Sequence, residues 1–332
     1  MTFPLPRFRA GSLLFLLAVM AARALAQAGP PFRTDDPETP GNKHWEINFG
    51  WIGDRNPAAG DYQVPDFDIN YGLGDRIQLK YELPIAIEEN RLLPPVSETQ
   101  PVVPGSALAG LGASLLGVKW RFYQHHPGDP WIGRTPSLVN ETPASAEGAG
   151  EPLVDFSIGT YPQLSLNNPT SSVRRGVVAS GPDFLLPLEA NARLGPIRID
   201  GEVGYHFGNQ SLPQSWIRGM IVGHEFSDST EAYAEIYDQQ DANRLPAGHG
   251  VGEFATGQSK QRQTTLGLGG RQALNKQKDL ILLLMGGTSF QTVSVYNSQP
   301  TWIAYVGLQL LLGPKEPVMP QVEQKVLNLG PQ

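Results

Sequence analysis

The chain has 332 residues, no cysteine and a formal charge of −7. The missing cysteine excludes disulfides, thiolate metal sites and a lipidated cysteine, and the acidic balance gives no basic footprint for nucleic acid. Hydrophobic residues make up only 40%, while glycine (37) and proline (30) are numerous. A sheet that is apolar on one face and encloses no packed core tolerates this, and so does a long soluble β-protein, so composition does not decide between them.

In chain order, residues 1–26 come first. Arg7 and Arg9 precede the apolar run Ser12–Ala22, and Ala24-Leu25-Ala26 is a small-x-small cleavage word before Gln27. This is the pattern of a secretory signal peptide, with an apolar run too short to span a bilayer. The chain is therefore expected to be exported, and no later stretch is long and apolar enough for a spanning helix. Residues 27–42, rich in proline and glycine, form an extended lead-in. Lying just before the first strand, this segment is a candidate plug for the interior of a barrel.

Twelve strands follow. The first, His44–Ile52, sets Trp45, Ile47, Phe49 and Trp51 against Glu46, Asn48 and Gly50. The next two, near 62–73 and 76–88, alternate Phe67, Ile69 and Tyr71 with Asp66, Asp68 and Asn70, then Leu79, Tyr81 and Leu83 with Lys80 and Glu82. The fourth, 113–124, sets Leu116, Val118, Trp120 and Phe122 against Lys119 and Arg121. The fifth, 154–166, carries Asp155, Ser157, Tyr161 and Gln163 on its polar face. Strands six and seven flank the turn at 194–196, with Glu189, Asn191 and Arg193 polar on one, and Arg198, Asp200, Glu202 and His206 on the other. Strands eight and nine flank 227–230, strands ten and eleven flank 274–279, and strand twelve is 301–312; Glu231, Tyr233, Glu235 and Tyr237 form one row. In strands eight, eleven and twelve the alternation is too poor to assign a face. Side chains alternate across a strand, so each regular strand has one apolar and one polar face.

Which face points outward is decided by the connections. Short turns follow strands two, six, eight and ten. Longer connections, at 53–61, 89–112, 167–182, 208–214, 239–261 and 290–299, follow the odd-numbered strands. This alternation is that of periplasmic turns and extracellular loops. One connection, 124–152, breaks it and reads as a periplasmic Ala/Gly/Pro insertion; residues 313–332 are a tail. Aromatic residues near strand ends suit the headgroup level of a bilayer. The expected fold is all-β: a transmembrane, antiparallel, up-and-down β-barrel of about twelve strands spanning 43–312, with the apolar rows in lipid.

The polar rows then surround the interior. The acidic candidates for pore lining are Glu46, Asp66, Asp68, Glu82, Asp155, Glu189, Asp200, Glu202, Glu231 and Glu235; the basic ones are Lys80, Lys119, Arg121, Arg193, Arg198 and Arg271. Both signs on neighbouring strands point to cross-strand ion pairs rather than a single-sign filter. An open hydrated lumen and a lumen whose charges only satisfy one another both fit this pattern.

Several stretches, among them "GPPFRTDDPETPGNKHWEINF" (29–49), "YGLGDRIQLKYELPI" (71–85), "GVKWRFY" (117–123), "SIGTYPQLSLNNPTSSVRRG" (157–176) and "LLPLEANARLGPIRIDGEVGY" (185–205), resemble the putative outer-membrane transporter family named for the meta-pathway of phenol degradation. The resemblance implies an outer-membrane barrel that takes up hydrophobic or aromatic compounds. It brings no catalytic residues.

Other motifs carry less. A nucleophilic serine needs a histidine base and an orienting third group. His206 lies near Asn209 and Ser211, without the histidine–x–serine–asparagine–glycine word of an outer-membrane phospholipase and without a nucleophile elbow anywhere. His125, His126 and Asp129 lack spaced metal-ligating partners. Gly267, Gly269 and Gly270 lack dinucleotide spacing and read instead as places of close approach between strands; Asn140-Glu141-Thr142 is a bare sequon. The expected activity is passive passage of a small solute through the outer membrane, with lipids around it, no cofactor, no metal and no catalysis. The alternatives are a non-conducting structural or adhesive barrel and, further off, a barrel hydrolase.

Overall fold

A computed structural model describes residues 30–55, 59–90, 107–125, 154–208, 214–242, 262–294 and 297–314. The signal segment, most of the 124–152 insertion and the tail beyond Pro314 lie outside the described residues. Fourteen strand segments occur: β1 (Trp45–Arg55), β2 (Ala59–Leu73), β3 (Ile77–Asn90), β4 (Ala107–Leu111), β5 (Ser114–His125), β6 (Val154–Thr160), β7 (Gln163–Leu166), β8 (Asp183–Leu194), β9 (Ile197–His206), β10 (Ser215–Ser227), β11 (Thr230–Asp241), β12 (Arg262–Ala273), β13 (Leu280–Ser294) and β14 (Asn297–Leu312). There is no helix among the described residues.

The segments make twelve staves, because β4 with β5 and β6 with β7 are single strands, each broken once. Each stave pairs antiparallel with its neighbours, and β14 pairs with β1 from Trp45↔Leu312 to Arg55↔Trp302, which closes the sheet on itself. A closed barrel leaves no edge strand with unpaired backbone groups, a requirement in lipid.

Prolines, which cannot donate to the ladder, stand at or opposite the breaks. Pro162 separates β6 from β7. Pro65 sits in the bulge between Gln63 and Asp66, where β2 faces Pro84 of β3. At the β4–β5 break, the Gly112 amide donates to the Pro84 carbonyl at 2.8 Å. Segment 167–182 covers this break: Asn168 Nδ2 donates to the Gly112 carbonyl at 2.6 Å, and Arg175 reaches the Ala109 carbonyl at 2.7 Å.

Two expectations about boundaries are corrected. The connection read over 89–112 contains a strand, β4, paired with the end of β3 from Ile85↔Leu111 to Glu89↔Ala107. Its residues, Ala-Leu-Ala-Gly-Leu, have no polar contrast and so carried no period-2 signal. The first strand extends to Arg55, past an irregularity in its pairing with β2 between Gly50 and Ile52; its alternation is kept, with Trp51 opposite Val306 and Ile52 opposite the inward Tyr305 of β14.

The faces sort as a membrane requires. Phe49, Leu79, Val118, Leu188, Val222 and Leu308 are exposed on the outside, as are most other large apolar side chains of the wall. So extensive an apolar surface is stable against acyl chains and not against water. Aromatic clusters stand at both ends: Trp45 against Tyr71 with ring centres 4.5 Å apart at the turn end, and Tyr205 against Trp216 at 4.8 Å at the loop end. The strands with poor alternation are apolar on both sides. Ile217 and Ile221 of β10, Leu283 and Met285 of β13, and Ile303 and Tyr305 of β14 point inward.

Candidate functional site: the barrel interior

The sixteen residues singled out from the polar rows all belong to the inner side of the wall. Glu46, Asp66, Asp68, Lys119, Glu189, Arg198, Asp200, Glu202, Glu231 and Glu235 are buried there, and Lys80, Glu82, Arg121, Asp155, Arg193 and Arg271 are partly so. A carboxylate or guanidinium removed from water in this way must find a partner. Most find one in the wall. Lys80 bridges Asp68 at 3.2 Å and Glu82 at 3.0 Å; Arg193 holds Glu225 at 2.6 Å; Arg271 lies 3.8 Å from Glu231.

Across β1, β2 and β3 the inner face carries an amide–carboxylate chain. Gln78 Nε2 donates to Asn70 at 2.7 Å, Asn70 Nδ2 to Asp68 at 3.2 Å, and Asn48 Nδ2 to both Glu46 at 3.0 Å and Asp68 at 3.3 Å. These are cross-strand or next-but-one neighbours on one face, the spacing at which sheet side chains meet.

Lys119 and Arg198 also reach inward from the wall. Lys119 Nζ donates to Asp35 Oδ1 at 2.6 Å and to the Asp36 carbonyl; Arg198 holds Asp200 at 2.9 Å and also Asp36. Both acids belong to the lead-in, which runs inside the barrel. Its backbone is tied as well: the Arg33 and Thr34 amides donate to Glu235 Oε1 at 2.9 and 2.7 Å, and the Asp35 amide donates to Glu202 at 3.2 Å. Thr39 Oγ1 donates to the Asp75 carbonyl at 2.9 Å, and the Lys43 amide to the Gly72 carbonyl at 2.9 Å, where the segment joins β1 at the turn end.

Three wall glycines make room for it. A Cβ on Gly219 would run into Thr34, one on Gly159 would come 2.8 Å from Pro37, and one on Gly72 would meet the Gly41 carbonyl. Phe32 packs edge-on against Tyr233, ring centres 5.4 Å apart, and touches the inward apolar cluster of β13 and β14. Burial inside the barrel pushes the Glu38 carboxyl up to about 7, against the downward pull of the Arg193 guanidinium 3.7 Å away.

Not every inward acid finds a partner. Glu189 is fully buried, stands directly opposite Glu202 across β8 and β9, and has no hydrogen-bond partner for either carboxylate oxygen among the described residues. Sequence reasoning found the wall residues and missed the lead-in acids as their partners. The Thr34-Asp35-Asp36 run was the available signal, read only as part of an extended segment.

The other motifs separate from this site. His206 Nδ1 lies 2.9 Å from Asp183 at the loop end, and Ser211 falls outside the described residues. His126 and Asp129 also fall outside them, and no cluster of three or more metal-ligating side chains occurs among the described residues. At Gly269, Gly270 and Gly287 a Cβ would run into a neighbouring strand's backbone, the close approach expected for the first two.

No family model matches the chain, and no curated protein does. Among solved structures, an outer membrane channel from Pseudomonas putida F1 is similar at 10% identity and a TM-score of 0.55, covering 86% of this chain and 100% of that one. The KdgM porin (8% identity, 80% and 98% covered) and the CymD monoaromatic hydrocarbon channel (8% identity, 83% and 90% covered) both score 0.39, too low to carry an argument. What the first likeness establishes is the fold: this chain is a closed twelve-stranded antiparallel β-barrel of the kind found in outer-membrane channels.

Proposed function

We propose that the protein is an outer-membrane channel for passive passage of small solutes, and that residues 30–42 are an internal plug which sets its conductance. The observation that carries this reading is the pairing of buried Lys119 and Arg198 with Asp35 and Asp36, in a barrel whose outer surface is apolar. The charged inner rows are the pore lining, and the plug interrupts them. The family resemblance through 29–49 and 185–205 makes the solute hydrophobic or aromatic. The inward apolar residues of β13 and β14 give such a solute a surface that the charged rows do not.

Planar-bilayer recording tests the reading. Full-length mature protein is expected to conduct weakly, and deletion of 27–42 to raise the single-channel current several-fold. Equal currents would remove the plug's role. Zero current in both would favour a second reading, a barrel without throughput, which the filled interior also suits.

A further inference from the structure

The outer face of β10, β11 and β12 changes character within one pleat. Met220, Ile236 and Leu266 form one register row across these strands, and all three are exposed. The next row toward the loops, two residues along each strand, is Arg218, Asp238 and Thr264; beyond it come Trp216, Gln240 and Arg262. Side chains two apart share a face, so the ionised groups point out of the barrel with the apolar ones. On either side the wall stays apolar at this level: Val203 of β9 stands opposite Arg218, Phe290 of β13 stands opposite Thr264, and both are exposed.

Within this polar island the carboxylate lies underneath and the guanidiniums on top. The Asp238 side chain is 11% exposed, those of Arg218 and Arg262 55% and 54%. Asp238 Oδ1 accepts Arg262 Nε at 2.6 Å and Thr264 Oγ1 at 2.8 Å, and Oδ2 lies 3.6 Å from Arg218 Nη1. Neither arginine pairs with another carboxylate among the described residues. One acid thus orients two bases, and the surface turned to the membrane keeps a surplus positive charge. A solvated ion pair accounts for one arginine with Asp238 and leaves the second unexplained.

Depth limits what can meet that charge. Arginine on the lipid face is costly at the bilayer midplane and nearly free at the interface. Trp216, packed on Tyr205 at 4.8 Å, marks the headgroup level here. The loop end of such a barrel faces the outer leaflet.

We propose that Arg218 and Arg262, oriented by Asp238, bind the phosphate of a phosphorylated glycolipid of the outer leaflet. Guanidinium forks meet phosphate oxygens two at a time and stay charged throughout. Holding Arg262 through Nε leaves its Nη1 and Nη2 as donors for this purpose. Met220, Ile236 and Leu266, directly below, receive the acyl chains, which makes the ligand a lipid rather than free phosphate. The site needs a barrel in the outer membrane and does not depend on conduction.

Diphosphoryl lipid A is the probe, titrated into the full-length mature protein in non-ionic detergent and followed by native mass spectrometry. Saturable binding is expected. Arg218→Gln combined with Arg262→Gln is expected to weaken it by about tenfold or more, and each single change by about threefold. Lys276→Gln, which removes an exposed cation at the turn end, is expected to leave it unchanged. Lipid A freed of its phosphates is expected to bind the unaltered barrel no better than diphosphoryl lipid A binds the double variant. Heat-dependent gel mobility confirms folding, and the single variants, each keeping one guanidinium, carry the test if the double variant does not fold. Unchanged affinity in the arginine variants, equal binding of the phosphate-free lipid, or equal weakening by Lys276→Gln would overturn the site. Displacement of the lipid by millimolar inorganic phosphate would overturn its assignment to a lipid.

Discussion

Asp36 is where the lead-in and the wall depend most on each other. It is fully buried, pairs with Arg198, lies 3.7 Å from Lys119, and accepts the Glu38 amide at 2.9 Å. Removing one partner of a buried pair leaves the other charge uncompensated, typically at about 3–5 kcal/mol. Asp36→Ala is therefore expected to lower the thermal midpoint of the detergent-solubilised barrel, followed by heat-dependent gel mobility. Asp36→Asn, which keeps the shape and one acceptor, should lower it less, and equal midpoints would count against the pairing. Glu38 gives a pH dependence. Its docked carboxyl titrates near 7 against about 4.5 in water, so the docked plug binds the extra proton between those values. Plug docking strengthens as pH falls from 7 toward 4.5 and weakens as pH rises through 7. Single-channel current should accordingly be smaller at pH 5 than at pH 8, and Glu38→Gln should flatten this difference. A variant with the unaltered pH profile would show that Glu38 is not the titrating group.

At the scale of elements, the plug fits because particular wall positions have no side chain. Gly219→Val places a branched side chain where Thr34 sits, while Trp216, Met220 and Val222 on the outside stay as they are. The expected result is a barrel that still resists heat in detergent but is cut by trypsin after Arg33, where the unaltered protein is expected to resist cleavage. Continued protection would mean that the segment has another way to fit. These contacts also show what was legible beforehand. All twelve staves, the turn end and the inner charged rows followed from period-2 alternation and connection lengths, because those are local properties. Only the first segment of the fourth stave, β4, was missed, because Ala and Gly provide no contrast between faces. The inward Ile221, Leu283, Met285 and Tyr305 were unreadable because their partner, Phe32, lies about 190–270 residues away in sequence. Alternation reports that a strand has two faces; when both are apolar, it does not say that a third object lies inside.

At the scale of the whole molecule, the arrangement is inside-out relative to a soluble sandwich: apolar girdle outward, ion pairs and amides inward. Mature protein is expected to need detergent or lipid to remain folded and monodisperse, as size-exclusion chromatography with light scattering would show. A folded monomer in plain buffer would contradict the assignment of faces. The pairing of β1 with β14 along eleven register positions has one more consequence. The lead-in is joined directly to β1, yet the cylinder is completed only when the final stave arrives, some 250 residues downstream. During biogenesis the segment must already occupy its berth when that last seam zips shut, or afterwards thread upward through the turn end past Gly72. The order of those two events fixes whether the nascent protein is ever briefly unstoppered in the cell.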